Sequence, residues 1–180
     1  MTGLDPDKEE IIEICCIITN GQLDIIDLEG YHTLVHQPKS RMDQMDEWCT
    51  RTHGKSGLTA AVIESKTTAE QAADGLYEYI CKYIPEERTA LLAGNSVHAD
   101  RMFLRKEPYT KITDHLHYRI LDVSSIKEAA RRWSHPSVAK RTPTKHGTHK
   151  ARDDILESIE EARYFQQVLF APKDTGKKQT

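Results

Sequence analysis

Residues 11–18 read Ile-Ile-Glu-Ile-Cys-Cys-Ile-Ile, and the run stops at Asn20-Gly21. A run this apolar, this short and this rich in β-branched residues is a buried strand rather than a surface helix. Asn-Gly is a strong two-residue hairpin signal, so the chain must turn back on itself. Residues 23–27 and 31–36 supply two further strands around Glu29-Gly30, which predicts an antiparallel meander. The period then changes. Residues 42–53 have helical character, and residues 53–57 read as a loop. From Thr67, apolar residues recur at helical spacing: Ala69, Ala72, Ala73, Leu76, Tyr79, Ile80, Tyr83 and Ile84. Thr67 and Glu70 form a capping box at its start, and Pro85 stops it.

The second half alternates. Residues 90–93 read as a short buried strand that runs into Gly94-Asn95-Ser96, and a helix begins near His98. Residues 118–123 are another strand. A helix capped by Ser125 and Glu128 follows, running through Trp133. Residues 134–147, with Pro136 and Pro143, read as a mobile basic loop. The last helix covers 149–170, with Ile155, Ile159, Ala162, Phe165 and Leu169 at core spacing. The order of elements predicts one α/β domain over residues 1–170, a mixed sheet flanked by helices, with a disordered tail at 171–180.

Composition removes several classes of function. The formal net charge is −3 and no Lys/Arg run dominates, so the chain lacks the footprint for gripping a long duplex. A short anionic ligand is still admissible where a few groups or bound cations act locally. No apolar run approaches membrane-spanning length. The four cysteines form no Cys-x-x-Cys, and the nine histidines have no cysteine pair at zinc-site spacing.

Four segments could carry chemistry. In Thr148-His149-Lys150-Ala151-Arg152-Asp153, His149 and Asp153 are four residues apart and share one helical face. A proton acceptor beside a hard oxygen ligand suits metal-assisted hydrolysis; the same spacing suits a pair that only caps and solvates a helix start. In residues 93–100, Asp100 falls in the first turn of a helix that follows a strand end. It either complements the helix dipole or meets Asp153 at a metal. In residues 47–54, Trp48 either joins the core or stacks on a base, with His53 near a phosphate or sugar. In residues 117–124, Arg119 and Ser124 suit phosphate binding, or they are the polar face of an ordinary strand.

Taken together and in order, these segments resemble the oligoribonuclease family, dimeric members of the DEDDh group of 3′-to-5′ exonucleases. The matching pieces are Met1-Thr2-Gly3-Leu4-Asp5, Glu47-Trp48, Thr52-His53 with Ser56-Gly57-Leu58, Gly94-Asn95-Ser96, Asp100 with Phe103-Leu104, His117-Tyr118-Arg119 with Leu121-Asp122-Val123-Ser124, and Gly147-Thr148-His149 with Asp153-Asp154. The resemblance implies an RNase H-like exonuclease fold and hydrolysis of short single-stranded RNA, dinucleotides especially, to mononucleotides. It implies two Mg2+ or Mn2+ ions, with Asp100 and Asp153 as metal carboxylates and His149 as the base that activates water. Leu4 and Trp48 resemble residues that bracket the bases, with His53 nearby. Ser96, Arg119 and Ser124 resemble a cap on the 5′ phosphate, and Tyr118 resembles a catalytic residue reaching in from the other protomer of a homodimer.

One departure stands out. The family's first motif, Asp-x-Glu on a central strand, directly precedes Met-Thr-Gly-Leu, where this sequence opens. The expectation is therefore a domain without its first central strand and without two of four metal carboxylates, a late start codon or a fragment. The alternative is a non-catalytic short form that binds dinucleotides or dimerises. Any targeting segment would lie upstream, so the compartment is expected to be the cytoplasm or the mitochondrion.

Overall fold

A computed structural model of the chain describes residues 1–144 and 151–170. In chain order its elements are β1 (Glu13–Cys16), β2 (Tyr31–Leu34), α1 (Lys39–Met42), α2 (Glu47–Ser56), α3 (Leu58–Glu64), α4 (Ala69–Tyr83), β3 (Leu92–Gly94), α5 (Val97–Leu104), α6 (Thr110–His115), β4 (Ile120–Asp122), α7 (Val123–Trp133), α8 (Pro136–Lys140) and α9 (Ala151–Phe165). A π-helical turn, Gln166–Phe170, follows α9.

The isoleucine-rich run becomes β1 and pairs antiparallel with β2, Glu13 opposite Leu34 and Cys16 opposite Tyr31. β3 pairs parallel with β4, Leu92 opposite Ile120 and Gly94 opposite Asp122. The parallel sense requires a long crossover, and α5 and α6 supply it. Among the described residues no ladder joins the two pairs, so the mixed sheet is divided into two two-stranded pieces, one of each sense.

The middle strand of the expected meander, residues 23–27, does not form. Asn20 Oδ1 accepts from the N–H groups of Gln22 and Asp24, both at 2.9 Å. Leu23 takes a left-handed φ of 67°. These local bonds take the donors a ladder would use, and only a single bridge, Thr19 to Ile25, survives.

One face of the antiparallel pair packs on α4. Ile14 and Val35 meet Ala72, Ala73, Leu76 and Ile80, and the cluster extends to Phe103, Ile112 and Leu116 of the crossover. Gly75 permits the approach: a Cβ there would lie 2.7 Å from the Tyr31 hydroxyl. That hydroxyl donates to the Ala72 carbonyl at 3.0 Å. A second cluster joins Ile12 to Met42, Met45, Cys49 and Val62 of α1–α3, and a third joins Val123 and Ala130 of α7 to Ala162 and Phe165 of α9. α9 touches both β1 and β3 and so spans the two small sheets. Arg152 pins its start by donating to the carbonyls of Leu28 and of Glu29, the latter at 2.6 Å.

Three helix starts differ from expectation. The α4 cap is Thr68 with Gln71, one residue beyond Thr67 and Glu70. Residues 67–71 contain two overlapping capping boxes, and Thr67 is held outside the helix because its carbonyl accepts from His36 N–H at 2.8 Å. Asp122, not Ser125, caps α7, and Glu128 instead bonds Arg131 and Arg132. Pro136 opens α8 rather than breaking the chain, being at its first turn behind a His135 cap. The expected loop at 53–57 is the end of α2, closed by Gly57 at a left-handed φ of 79°. The tail at 171–180 lies outside the described residues.

Candidate active site

Gly94-Asn95-Ser96 connects β3 to α5, at the carboxyl ends of the two parallel strands, where open α/β sheets hold ligands. Ser96 adopts a left-handed φ of 53°, uncommon for a residue with a side chain. What holds it is Asp122, at the end of β4. One carboxylate oxygen of Asp122 accepts from Ser96 N–H at 3.0 Å and from Ser124 N–H at 2.9 Å. The other faces His98 Nδ1 at 3.2 Å. The two serine hydroxyls are 3.3 Å apart. Arg119 is exposed just before β4, with its guanidinium 5.1 Å from the Tyr118 ring centre. Tyr118 itself is 58% exposed and stacks on His117. Ser96 and Ser124 thus meet at the carboxyl ends of β3 and β4, whereas Tyr118 and Arg119 stand exposed at the amino end of β4.

Trp48 and His53 of α2 form a second group, tied through Met1 to the first residues, which carry Leu4. Leu4 is 77% exposed and Trp48 54% exposed, unusual for large apolar side chains. Trp48 stands edge-on to His53, ring centres 6.5 Å apart. His53 Nε2 lies 3.1 Å from the Met1 carbonyl, so α2 and the first residues are tied together. Burial pulls the His53 imidazole below its ordinary pKa and favours the neutral ring. The segment that carries Leu4 is clamped from below: buried Thr2 donates to Glu9 at 2.5 Å, and Arg41 donates to Glu9, Thr2 and the Lys8 carbonyl at 2.6, 2.9 and 2.9 Å.

Asp100 lies in the first turn of α5, one turn on from Ser96. It keeps contact with solvent, yet the protein crowds its carboxyl. This desolvation raises its pKa above the usual carboxylate range; the charge of Asp122 adds to the rise, while His98 and the Met1 amino group oppose it. A carboxylate held in this condition is stabilised by a cation, and its oxygens suit a hard divalent ion. Asp153 lies half-buried in the first turn of α9, the helix that touches β3. His149 lies outside the described residues. Among the described residues no three His, Cys, Asp or Glu side chains cluster at metal-binding range.

Sequence reasoning named the serines but assigned nothing to the residues that hold them, Asn95, Asp122, His98 and Glu161. Asp122 had a local signal, an aspartate two residues before Ser124 at a strand-to-helix junction. Glu161 had none, because its partners come from 34 and 66 positions away.

The family model described as Exonuclease matches residues 1–162. The mitochondrial oligoribonuclease of Saccharomyces cerevisiae is 47% identical over 182 residues, 97% of this chain and 67% of the relative. That of Homo sapiens is 44% identical over 178 residues, 99% of this chain and 73% of the relative. The oligoribonuclease of Marinobacter nauticus is 48% identical over 170 residues, 94% and 92% of the two chains.

Proposed function

The chain belongs to the exonuclease family, with oligoribonucleases as its relatives, and on that footing we propose that it is a 3′-to-5′ exoribonuclease that degrades very short RNA, dinucleotides especially, to mononucleotides. The observation that supports the substrate class is the strand-end turn: two serine hydroxyls and the N-terminal end of α5 lie together where a terminal phosphate can be held, and Arg119, exposed just before β4, is the cation that family likeness assigns to it. A phosphate held there closes one end of the site, so a longer strand has nowhere to run.

In this reading Ser96, Ser124 and Arg119 bind the 5′ phosphate. Exposed Leu4 and Trp48 bracket the bases, and His53 steadies the Trp48 edge of that face. Asp100 and Asp153 would hold Mg2+ or Mn2+, two ions by family likeness. Such ions, when bound, neutralise the scissile phosphate and steady the attacking and leaving oxygens. His149 takes the proton of the attacking water. Tyr118, exposed two residues before β4, would reach a second protomer's site in a homodimer. Among the described residues no helix is long and apolar enough to cross a membrane. The relatives' names, mitochondrial in eukaryotes, support a mitochondrial or cytoplasmic compartment.

The test is manganese-dependent release of mononucleotides from a 5′-phosphorylated diribonucleotide. Release from the 3′ end supports the proposal. Tight binding without cleavage turns the reading to a non-catalytic dinucleotide-binding or dimerisation protein, and neither binding nor cleavage overturns both.

A further inference from the structure

Asn20-Gly21 is a motif that the hydrolysis described above leaves unused, and the hairpin it signals is reduced to one bridge. Both residues are exposed, and Asn95 is the only other asparagine in the chain. A Cβ built on Gly21 would meet nothing within 4 Å, so its amide nitrogen is uncrowded on that side. The loop is also a docking element. Leu23 packs on the cluster of α7 and α9, and its carbonyl accepts from Arg163 of α9 at 2.6 Å.

Three bonds hold the Asn20 side chain. Oδ1 accepts from the N–H groups of Gln22 and Asp24, both at 2.9 Å, and Nδ2 donates to Asp24 Oδ2 at 3.0 Å. The first two bear on reactivity. When a nucleophile adds to the side-chain carbonyl carbon, the oxygen takes up negative charge, and two backbone donors at this range stabilise an oxyanion. The nucleophile is the next residue: the Gly21 nitrogen closes a five-membered ring with Asn20 Cγ. The third bond bears on the product. A carboxylate in place of the amide puts an oxygen where Nδ2 was, facing Asp24 Oδ2, and like charges so placed repel.

We propose that Asn20 is a modification site: water converts it to aspartate or isoaspartate through the Gly21 nitrogen, and the new charge loosens residues 20–24 from the end of α9. This is independent of the function proposed above. Gly21 N–H gives its proton to solvent base, the nitrogen bonds to Asn20 Cγ, and the Cγ–Nδ2 bond breaks. Nδ2 leaves as ammonia and takes a proton from water. A second water opens the ring at either carbonyl. Breaking the new Cγ–N bond gives aspartate. Breaking the original Asn20–Gly21 peptide bond gives isoaspartate, with the main chain rerouted through Cγ. On either route one side-chain amide and one water become one carboxylate and one ammonium ion.

Incubating the full chain at mildly alkaline pH, then measuring peptide masses and isoaspartate, reads the conversion. The mass increase of amide-to-acid exchange is expected at residue 20 and not at Asn95, whose amide bonds Ser158 and Glu161 of α9. Gly21→Ala can fold, because Gly21 lies outside the left-handed region and its Cβ position is empty. That change slows conversion by at least about fivefold, the backbone freedom that glycine has over alanine. Asn20→Asp, the aspartate product, lowers Tm by about 2–4 °C, the size of one exposed hydrogen bond to a charged group in a chain this long. Asn20→Asp/Asp24→Asn returns a donor to the pair and recovers the loss. No conversion at residue 20 in the folded chain overturns the site, as does an equal rate in Gly21→Ala. An Asn20→Asp chain that melts with the unaltered one, or a loss that the double change leaves in place, overturns the loosening by charge.

Discussion

Replacing Arg41 by Met tests whether the clamp beneath Leu4 is a stabilising device. Methionine keeps most of the apolar stem and removes the guanidinium. Three bonds are lost, all from one nitrogen. The Thr2 and Lys8 partners stay bonded elsewhere or meet water, so the bond to Glu9 dominates. Arg41 and Glu9 are 17% and 22% exposed, too buried for the near-zero value of a surface pair. A charged hydrogen bond contributes about 1.5–3 kcal/mol, and Thr2 keeps Glu9 partnered, so a loss of about 2 kcal/mol is expected. For a chain of this size that lowers Tm by about 4–8 °C. The pH dependence has a definite sign. The Thr2 hydroxyl and then Arg41 hold the Glu9 carboxyl below its ordinary value, against desolvation. Its contribution is present above the unfolded glutamate pKa and is lost as pH falls through the folded one. Thermal melts of both proteins from pH 7 to about pH 3 should show the gap closing on the acid side, below the ordinary glutamate range. A gap that is under 1 °C at pH 7, or that does not narrow in acid, refutes the reasoning.

Other outcomes follow from the same geometry. Arg119→Ala should weaken binding of the 5′-phosphorylated diribonucleotide by about tenfold to a hundredfold and leave the 5′-hydroxyl form nearly unchanged, measured by titration. Trp48→Ala removes an exposed stacking face and should raise KM by about five- to a hundredfold with little change in melting temperature. Asp153→Asn should abolish manganese-dependent cleavage and weaken manganese binding by calorimetry, while dinucleotide affinity measured in EDTA stays in place.

The elements legible in the sequence are those whose partners lie close along the chain. The apolar faces of α4 and α9 were readable from period alone, and Ala72, Ala73, Leu76, Ile80, Ala162 and Phe165 are buried as that period requires. Boundaries failed where a distant group decided them. His36 selects Thr68 over Thr67 as the α4 cap by bonding the Thr67 carbonyl, an event 31 residues from its cause. Residues 23–27 have strand composition, yet the Asn20 side chain and a bond from Arg163 to the Leu23 carbonyl claim that backbone first. The candidate site divides likewise. Ser96, Ser124, Arg119 and Trp48 carry their chemistry in their own side chains. Asn95 and Glu161 are intelligible only once α9 lies beside β3.

That placement of α9 bears on why substrate length would be chosen at all. Its first turn carries Asp153, its middle carries Ser158 and Glu161 against the Asn95 turn, and its end carries Phe165 into the α7 core. Asp153 and Glu161 are eight positions apart, about 12 Å along a rigid helix. Under the proposed function, the carboxylate that serves the cut and the support for the phosphate cap are parts of one body. They cannot drift apart as two loops could, and Arg152 and Phe165 anchor that body at both ends. A substrate that fills the interval engages cap and cutting site together, whereas a mononucleotide reaches only one of them. Shortness of substrate is then a property of helix geometry rather than of any base contact, which is why sequence preference should be weak and length preference strong.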